Sequence, residues 1–583
     1  MLLSRLRGLR PQAQRSRLQT LRPLTGSQRS PRTIGQTRHY SRNGDGSGKE
    51  ESSSKKQHRP GLLSASLTWG AFLVATGLSV ERWYYGSPAS RVSKSGTPVY
   101  GSPEDFKQAI EDLRKDLSHL EHGISTSPDD LYSHGFSVND YHPGVSHTVV
   151  VYPQSTEDVV KIVKIANKYR MPVTAYSGAT SLEGQFRAHK AGGICVDMGS
   201  MDKILEIHSE DSDLVCQPGA RWMDINEILK EKGITESYFP SSFPGLIIEY
   251  RNTAVLPPTI GANAVRYGTA KGEWFLNATI VLPSGQVIKT RRRSRKSAAG
   301  FDITKLFIGA EGTLGIITEV TIRLAPVLPT TVAVAQFPSI RAATEAVSEI
   351  LNQGVGIQCV ELVDDIFMQA TNTYGASKRK WPEKDSLFFK FQGPSQASLK
   401  ETAEIVKKTV KKHGATNFEL ARNKEEADEL WNDRKNAHYS GLALLPGGKG
   451  WPTDVCVPVS KLPQLVAETK EDLAGIGLKS TIVGHVGDGN FHALILFKTD
   501  EERERAHKAV SRMVKRAIAL DGTCTGEHGV GIGKKDYLVE ELGEGTVELM
   551  KTIKRTLDPL NLFNPGKLYP DDEEISKHKE LKD

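Results

Sequence analysis

An uncharged run of twenty residues, 61–80, limits where a folded core can lie in this chain of 583 residues. Twenty helical residues rise about 30 Å, which matches the hydrocarbon thickness of a bilayer. Arg59 precedes the run, and Trp83, Tyr84 and Tyr85 follow it, as at a membrane interface. A buried core helix is the alternative, but the preceding residues show no globular pattern. We therefore expect one transmembrane anchor at 61–80, with the folded domains after it.

The residues before this run have the composition of a mitochondrial transit peptide. Residues 1–60 hold 14 basic and 3 acidic residues, and residues 1–42 contain ten arginines and no acid. We expect a transit peptide at 1–40, cut after Tyr40, and a polar linker at 41–60. A basic tail that binds nucleic acid is the alternative. The rest of the chain has 62 basic and 66 acidic residues, so the pI near 8.9 does not indicate a nucleic-acid-binding body.

Several classes of protein are excluded by what the sequence lacks. The five cysteines are widely spaced and form no CxxC pair, which argues against a disulfide framework or a zinc ribbon. There is no GxGxxG fingerprint, P-loop, HExxH motif or GxSxG elbow. A Rossmann-type NAD dehydrogenase, an NTPase, a thermolysin-like protease and an α/β-hydrolase are therefore not expected.

The remaining residues predict an α+β body with two domains. Strands and helices alternate from about residue 147, and one strand ends in a turn of small residues at 177–184, where backbone N–H groups can approach an anion. After residue 326 the pattern predicts an antiparallel sheet backed by helices. The expected segments are a linker at 86–103, a helical extension at 104–146, a first domain at 147–326, a second domain at 327–560 and a returning C-terminal segment at 561–583.

The second domain carries the strongest chemical signal. Two histidines, His485 and His492, flank a glycine-rich turn, and a second such turn carries Glu527 and His528. Two imidazoles and a carboxylate are a plausible set of ligands for a divalent metal, which leaves His528 as a candidate base. Arg434, on a predicted helix over 425–439, is a candidate clamp for an anion. The alternatives are structural turns with incidental histidines and a solvated helix face.

These segments resemble the vanillyl-alcohol oxidase/p-cresol methylhydroxylase superfamily of flavoproteins. The similarity is greatest to the D-lactate dehydrogenase (cytochrome) branch, and it covers about residues 100–570. It rests on VVYPQSTEDVVKIVKIANKYRMPVTAYSGATSLEG, NAVRYGT, LFIGAEGTLGIITEVTIRLAP, GHVGDGNFH, TGEHGVGIGKK and FNPGK. The resemblance implies that the first domain binds FAD and that the second is an α+β cap with an antiparallel sheet.

The resemblance also implies roles for individual residues. It makes His485, His492 and Glu527 the metal ligands, His528 the catalytic base and Arg434 the clamp for the substrate carboxylate. The implied FAD contacts are Ser177, Gly178, Ala179, Thr180, Ser181, Gly184, Asn263, Gly309, Gly312, Gly315, Ile316, Ile317 and Asn564. No histidine adjoins the turn at 177–184, which agrees with FAD held without a covalent bond. The implied metal is zinc or manganese.

Two stretches depart from the family pattern. Ala179 replaces a glycine that is usual in the pyrophosphate loop. Residues 239–262 replace a glycine-rich stretch by bulky residues and Glu249, where the backbone should approach the flavin diphosphate. A local frame slip or a wrongly assigned splice junction would produce this sequence. If the segment is genuine, an inactive homologue tethered to the membrane is the alternative to an enzyme.

The activity implied by the resemblance is oxidation of D-lactate to pyruvate by hydride transfer to FAD. His528 would take the hydroxyl proton with an ordinary imidazole pKa of about 6.5. D-2-hydroxyglutarate and glycolate are alternative substrates. The hydroxyglutarate branch tends to have asparagine two positions after the second metal histidine, and Leu494 stands there. An apolar residue favours lactate, because a second carboxylate buried without a partner is costly.

The charge beside the predicted anchor indicates on which side of the membrane the body lies, and this location implies its electron acceptor. Positive charge keeps that flank in the matrix, so we expect an inner-membrane protein whose body lies in the intermembrane space. Cytochrome c is the soluble carrier in that space and is basic, whereas the body is slightly acidic, so the two attract. Cytochrome c is therefore the expected partner.

Overall fold

The computed structural model describes residues 98–137, 141–178, 181–234, 237–238 and 274–572. Outside these ranges lie the predicted transit peptide, linker and anchor, the divergent segment 239–262, and Ala179, Thr180 and Asn263. None of the helices within the described ranges has the length and apolar character that a bilayer span requires.

Two sheets form the first half of the described body. The strands are β1 Ile124–Ser125, β2 Val149–Val151, β3 Val173–Tyr176, β4 Ile194–Asp197, β5 Ile204–His208, β6 Asp213–Cys216, β7 Ser237–Tyr238, β8 Phe275–Val281, β9 Val287–Lys289, β10 Ile316–Arg323 and β11 Ala325–Pro326. The helices are α1 Pro103–Asp116, α2 Pro128–Gly135, α3 Thr156–Tyr169, α4 Trp222–Glu231 and α5 Ile303–Phe307. One sheet has the order β1-β2-β4-β3 and the other β5-β6-β10-β8-β9, while β7 pairs with β11.

The first sheet is built on a parallel core because its crossover helix buries one apolar face. β2 and β3 both pair with β4 in parallel. The Ser155 side chain caps α3 by accepting from the Asp158 N–H, and the helix buries Val159, Ile162 and Val163. The predicted helical extension over 104–146 also contributes a strand, since β1 pairs with β2 in antiparallel register. That strand of two residues is too short to leave a periodic signal in the sequence.

One large antiparallel sheet forms the second half. Its strands are β12 Thr330–Gln336, β13 Ile357–Val363, β14 Ser386–Gln392, β15 Asn417–Leu420, β16 Lys449–Pro452, β17 Val455–Cys456, β18 Ser480–Gly484 and β19 Asn490–Phe497. The helices are α6 Ile340–Leu351, α7 Asp365–Tyr374, α8 Gln396–Lys412, α9 Lys424–Lys435, α10 Ala437–Ala443, α11 Leu462–Gly475, α12 Asp500–Ala519, α13 Leu538–Leu542 and α14 Glu544–Leu557. The order is β15-β12-β14-β13-β18-β19-β16, with β17 also paired to β19.

The two faces of this sheet carry different kinds of side chain. Helices α6, α8, α11 and α12 pack on one face, where residues such as Phe389, Phe491 and Ala493 form the main core. Side chains alternate between faces along a strand, so Glu361, His492 and Leu494 point to the other face. That face therefore carries the ionisable groups.

One sequence expectation is wrong in this half. The helix predicted over 425–439 is two helices, because the backbone leaves helical geometry at Asn436. The glycine-rich turn between His485 and His492 occupies residues 485–489, directly after β18, and His492 lies inside β19.

Candidate active site and metal centre

Three side chains of the predicted metal set meet at the open face of the sheet. His485 follows the last residue of β18, and His492 lies on β19, which pairs with β18. Glu527 Oε1 lies 3.2 Å from His485 Nε2 and 3.1 Å from His492 Nε2. Ligands about 2.1 Å from one ion in tetrahedral geometry are roughly 3.4 Å apart, so these separations fit a shared cation.

The orientation of both imidazoles is fixed through the nitrogen that faces away from Glu527. His492 Nδ1 lies 2.9 Å from the Thr453 carbonyl, which can only accept, so Nδ1 carries the proton. His485 Nδ1 lies 2.9 Å from each carboxylate oxygen of Glu361. Among the described residues, His492 Nε2 and both Glu527 oxygens have no hydrogen-bond partner. Buried nitrogen and oxygen atoms that face one point and accept no hydrogen bond are suited to binding a metal ion.

The charges around His485 also favour a cation. Burial lowers the pKa of His485, but the carboxylates of Glu361 and Glu527 outweigh it and raise the pKa to about 10. Burial raises the pKa of the nearby Asp488 carboxyl to about 7. The pKa of Glu527 is lowered, because the His485 and His492 imidazoles outweigh the effect of its burial. A divalent cation at Nε2 would supply the positive charge that a proton otherwise provides. Two nitrogen ligands and one oxygen do not distinguish zinc from manganese.

The loop that carries Glu527 and His528 is held by one buried carboxylate, Asp454. Asp454 Oδ2 accepts from the backbone N–H groups of Glu527 at 2.7 Å and His528 at 2.8 Å, and from Thr525 Oγ1 at 2.7 Å. Asp454 Oδ1 accepts from Asn490 Nδ2 at 2.7 Å. Asp454, His492 and His528 also form a second group with metal-ligand spacing. The oxygens of Asp454 already accept four hydrogen bonds. Asp454 therefore positions the loop rather than ligating an ion.

His528 stacks on the metal-set histidine His492, with ring centroids 4.8 Å apart and planes 12° apart. Burial lowers the pKa of His528 to about 4, although the Asp454 carboxylate acts in the opposite direction. The expected ordinary value near 6.5 is therefore wrong. The ring is neutral at neutral pH, which is the state a base needs. Its Nδ1 is buried and has no hydrogen-bond partner within the described ranges.

Arg434 lies on the same side of the sheet, in the last turn of α9, and is 7% exposed. Its Nη2 donates to Glu361 Oε2 at 2.5 Å. Its Nε is buried and makes no hydrogen bond to any residue that the structure describes. An unused N–H beside an anchored guanidinium can bind a carboxylate.

The first predicted FAD segment, residues 177–184 after β3, has two buried hydroxyls that make no hydrogen bond to any described residue. Ser177 is 6% exposed and Ser181 is 1% exposed. In the described part of the chain, neither Oγ has a hydrogen-bond partner. Gly178 lies between them in sequence, and Gly184 ends the turn with φ +74°, which side chains rarely adopt. Two buried hydroxyls without partners fit the binding of a phosphate.

The second predicted FAD segment, residues 309–317, joins the first domain to the loop that carries Glu527 and His528. Gly309 and Gly312 both have positive φ, and a Cβ on Gly315 would lie 2.8 Å from Ile280 Cγ2. Ile316 and Ile317 begin β10 and are buried. Within the same segment, the Glu311 carboxylate accepts from the N–H groups of Val530 at 2.7 Å and Gly531 at 2.8 Å.

Asn564 links both FAD segments. Its Nδ2 donates to the Gln185 carbonyl at 3.0 Å and to the Glu311 carbonyl at 2.7 Å. Its Oδ1 is buried without a hydrogen-bond partner among the described residues. Gln185 in turn donates to the His528 carbonyl at 2.8 Å. The candidate base His528 and the residues assigned to FAD therefore belong to one hydrogen-bonded network.

Sequence reasoning missed the residues that hold this site together. They are Glu361, Asp454, Lys534, Gln185 and Glu311. Lys534 is 4% exposed and lies 3.2 Å from a Glu183 oxygen and 3.8 Å from an Asp454 oxygen. Glu361 had a usable signal, because it is the one charge in the apolar strand IQCVELV. The partners of the others are distant in sequence and leave no local pattern.

Comparisons with known proteins support the same architecture. Residues 147–291 match the family described as FAD binding domain, and residues 329–568 match FAD linked oxidases, C-terminal domain. The fold is similar to that of p-cresol methylhydroxylase with substrate bound. The TM-score is 0.64 at 17% identity, over 82% of this chain and 99% of that one. The described body is thus an α+β flavoprotein fold with a cap domain.

Two curated relatives cover most of the chain. The mitochondrial D-lactate dehydrogenase [cytochrome] of Kluyveromyces lactis is 40% identical over 89% of this chain and 91% of its own length. The mitochondrial D-lactate dehydrogenase [cytochrome] of Arabidopsis thaliana is 41% identical over 80% of this chain and 81% of its own length.

Proposed function

The chain belongs to the D-lactate dehydrogenase (cytochrome) family of FAD-linked oxidases, and on this premise we propose that it oxidises D-lactate to pyruvate. One observation carries the proposal. The anion clamp Arg434, the His485–His492–Glu527 group and the neutral His528 share one face of the cap sheet. The loop that bears His528 is hydrogen-bonded to both FAD segments.

The oxidation removes a proton from the hydroxyl and a hydride from the 2-carbon of the substrate. When bound, FAD supplies the hydride acceptor and a divalent metal supplies a Lewis acid for the hydroxyl oxygen. Ser177, Ser181 and Asn564 would hold FAD, and His485, His492 and Glu527 would hold the metal. Arg434 Nε binds the substrate carboxylate and thereby sets the direction of the hydroxyl.

His528 accepts the hydroxyl proton. Burial keeps its ring unprotonated before the reaction. Its Nδ1 makes no hydrogen bond to any described residue and can therefore accept the proton. A pKa of about 4 makes the free imidazole of His528 a weak base. The substrate hydroxyl must therefore be made more acidic by its surroundings in the complex. The stacked His492 and the fixed loop keep the ring in place, which lowers the entropic cost of the transfer.

Leu494 supports a substrate with one carboxylate. It lies two residues after His492 on β19 and is 6% exposed. Its side chain packs closely against the backbones of Gly441 and Gly450, where an added Cβ would lie 2.6 and 2.7 Å from it. No polar atom of this side chain could satisfy a second carboxylate, which would be costly to bury unpaired.

We further propose that the enzyme is mitochondrial and passes electrons to cytochrome c. The names of both relatives contain the words cytochrome and mitochondrial. The predicted leader and anchor lie outside the described residues, and the acidic balance of the body favours a basic partner.

A substrate panel tests the proposal. Purified protein loaded with FAD and with zinc or manganese is assayed with D-lactate, L-lactate, D-2-hydroxyglutarate and glycolate. We expect the highest kcat/KM for D-lactate and little turnover of its mirror image. A higher kcat/KM for D-2-hydroxyglutarate or glycolate would reject the proposed substrate. Absence of bound flavin would instead favour the inactive homologue.

A further inference from the structure

One buried carboxylate, that of Glu361, contacts both halves of the proposed site. Glu361 lies in the middle of β13 and is 1% exposed. Both of its oxygens lie 2.9 Å from His485 Nδ1, and Oε2 also accepts from Arg434 Nη2 at 2.5 Å. A metal-ligand histidine and the substrate clamp therefore share a single acceptor.

The register of the sheet explains how this is possible. β13 pairs with β18 through Leu362 and Gly484, which places Glu361 beside the turn that starts at His485. Arg434 reaches the same point from α9 and is also buried. A buried charge is tolerated only when it is paired and hydrogen-bonded, and Glu361 satisfies both conditions through these two contacts.

In each partner, a nitrogen other than the one that contacts Glu361 remains for another task. A carboxylate at His485 Nδ1 directs Nε2 toward Glu527, which is 3.2 Å away. Arg434 is held at Nη2 by the same carboxylate, while its buried Nε has no hydrogen-bond partner inside the described ranges. We propose that Glu361 is a positioning residue that couples the metal ligand His485 to the carboxylate clamp Arg434. This inference rests on the proposed function and adds a shared determinant of metal and substrate binding.

The test compares Glu361→Gln with a matched control. Asp364→Asn makes the same chemical change just after the same strand, at a carboxylate that is 2% exposed. Asp364 caps α7 by accepting from the Phe367 N–H at 2.8 Å, a role that asparagine also fills. Glu361→Asp serves as a second variant if the glutamine form does not fold, because it keeps the charge and shortens the reach.

Two constants are measured on FAD-loaded protein, the metal Kd and the KM for D-lactate. The Kd for Zn²⁺ or Mn²⁺ comes from competition with a chromophoric chelator, and the KM comes from D-lactate turnover. In Glu361→Gln we expect the metal Kd to rise by about 10- to 100-fold. We expect KM to rise by about tenfold as well, because the amide cannot accept from both partners. Asp364→Asn should leave both constants unchanged, and Glu361→Asp should be intermediate.

The flavin spectrum and the unfolding temperature separate positioning from general damage. Retained flavin with weaker metal and substrate binding in Glu361→Gln alone supports the coupling. A change in only one of the two constants, no change in either, or equal losses in Asp364→Asn would overturn it. Absence of D-lactate turnover in the wild type would reject the proposed function, while the metal titration would still decide whether Glu361 positions His485.

Discussion

At the scale of single residues, His528 carries the most specific chemical assignment. It is buried and neutral, it stacks on His492, and its carbonyl accepts from Gln185 in the FAD domain. The hydrogen bond holds the backbone of His528, so it remains when the imidazole is removed. Removal of the imidazole therefore tests catalysis more directly than it tests folding.

We expect His528→Ala to lower kcat for D-lactate by about 10²–10⁴-fold, the usual contribution of a positioned base. FAD content and metal affinity should stay near those of the wild type. His413→Ala is the control, because that histidine pairs with Glu349 far from the site. An unchanged kcat would assign His528 a structural role.

A second buried histidine, His147, should make stability depend on pH. Burial lowers its pKa from 6.5 to about 3, although its Nε2 contacts the Phe186 carbonyl. The unfolded chain gains this proton below pH 6.5, whereas the folded protein does not gain it until near pH 3. Its contribution to stability is thus complete above pH 6.5 and is lost as the pH falls toward 3.

We expect His147→Gln to reduce the acid sensitivity of the unfolding temperature. One proton over 1.5 pH units corresponds to about 2 kcal/mol, so the loss between pH 6.5 and 5 should shrink by up to about that amount. Thermal unfolding across this range measures it. Parallel profiles for the variant and the wild type would show that His147 is not responsible.

At the scale of elements, amphipathic helices with polar caps were the most predictable parts. Apolar residues recur at helical spacing over 340–351, which predicts a helix, and the structure has the helix Ile340–Leu351 there. Ser155 precedes a run of the same kind, which predicts an N-cap, and it caps α3. The strand Ser480–Gly484 and the break at Asn436 were missed, because each depends on pairing or packing with distant residues rather than on local periodicity.

In the candidate site, too, contacts between residues that are distant in sequence could not be predicted. Motif residues such as His485, His492 and Glu527 were identified from glycine-rich turns, and the structure brings them together. Their supports were not identified. Glu361 is 124 positions from His485, and Asp454 is 74 positions from His528, so only the folded sheet reveals these contacts.

Gly315, the residue just before β10, should be sensitive to substitution. A Cβ on Gly315 would lie 2.8 Å from Ile280 Cγ2 and 3.1 Å from the Val281 carbonyl, neither of which can move freely. We expect Gly315→Ala to cost about 1–3 kcal/mol and to lower FAD occupancy. Gly545→Ala is the control, since within the described part of the chain no atom outside its own helix lies within 4 Å of the added Cβ. Calorimetry and the ratio of flavin to protein absorbance measure both effects, and equal stability in the two variants would contradict the packing argument.

At the scale of the whole molecule, charge should govern the encounter with the electron acceptor. The chain beyond residue 60 has 66 acidic and 62 basic residues, whereas cytochrome c is basic. We expect D-lactate to reduce cytochrome c in the presence of the enzyme, and NAD⁺ not to replace it. Rising ionic strength should slow this half-reaction, because salt screens charges over about 10 Å at 0.1 M. A rate independent of salt would contradict electrostatic attraction, and protease protection of mitoplasts would test the predicted position of the body.

The central claim is that FAD and the His485–His492–Glu527 group act together on D-lactate. The most direct measurement is the visible absorbance of bound FAD after anaerobic mixing with substrate, since it needs no external acceptor. We predict that D-lactate bleaches the flavin of the metal-loaded protein rapidly, that L-lactate does not, and that prior chelation of the metal slows the bleaching severely. Flavin that stays oxidised with D-lactate, or bleaching that L-lactate or chelated protein matches, would contradict the account.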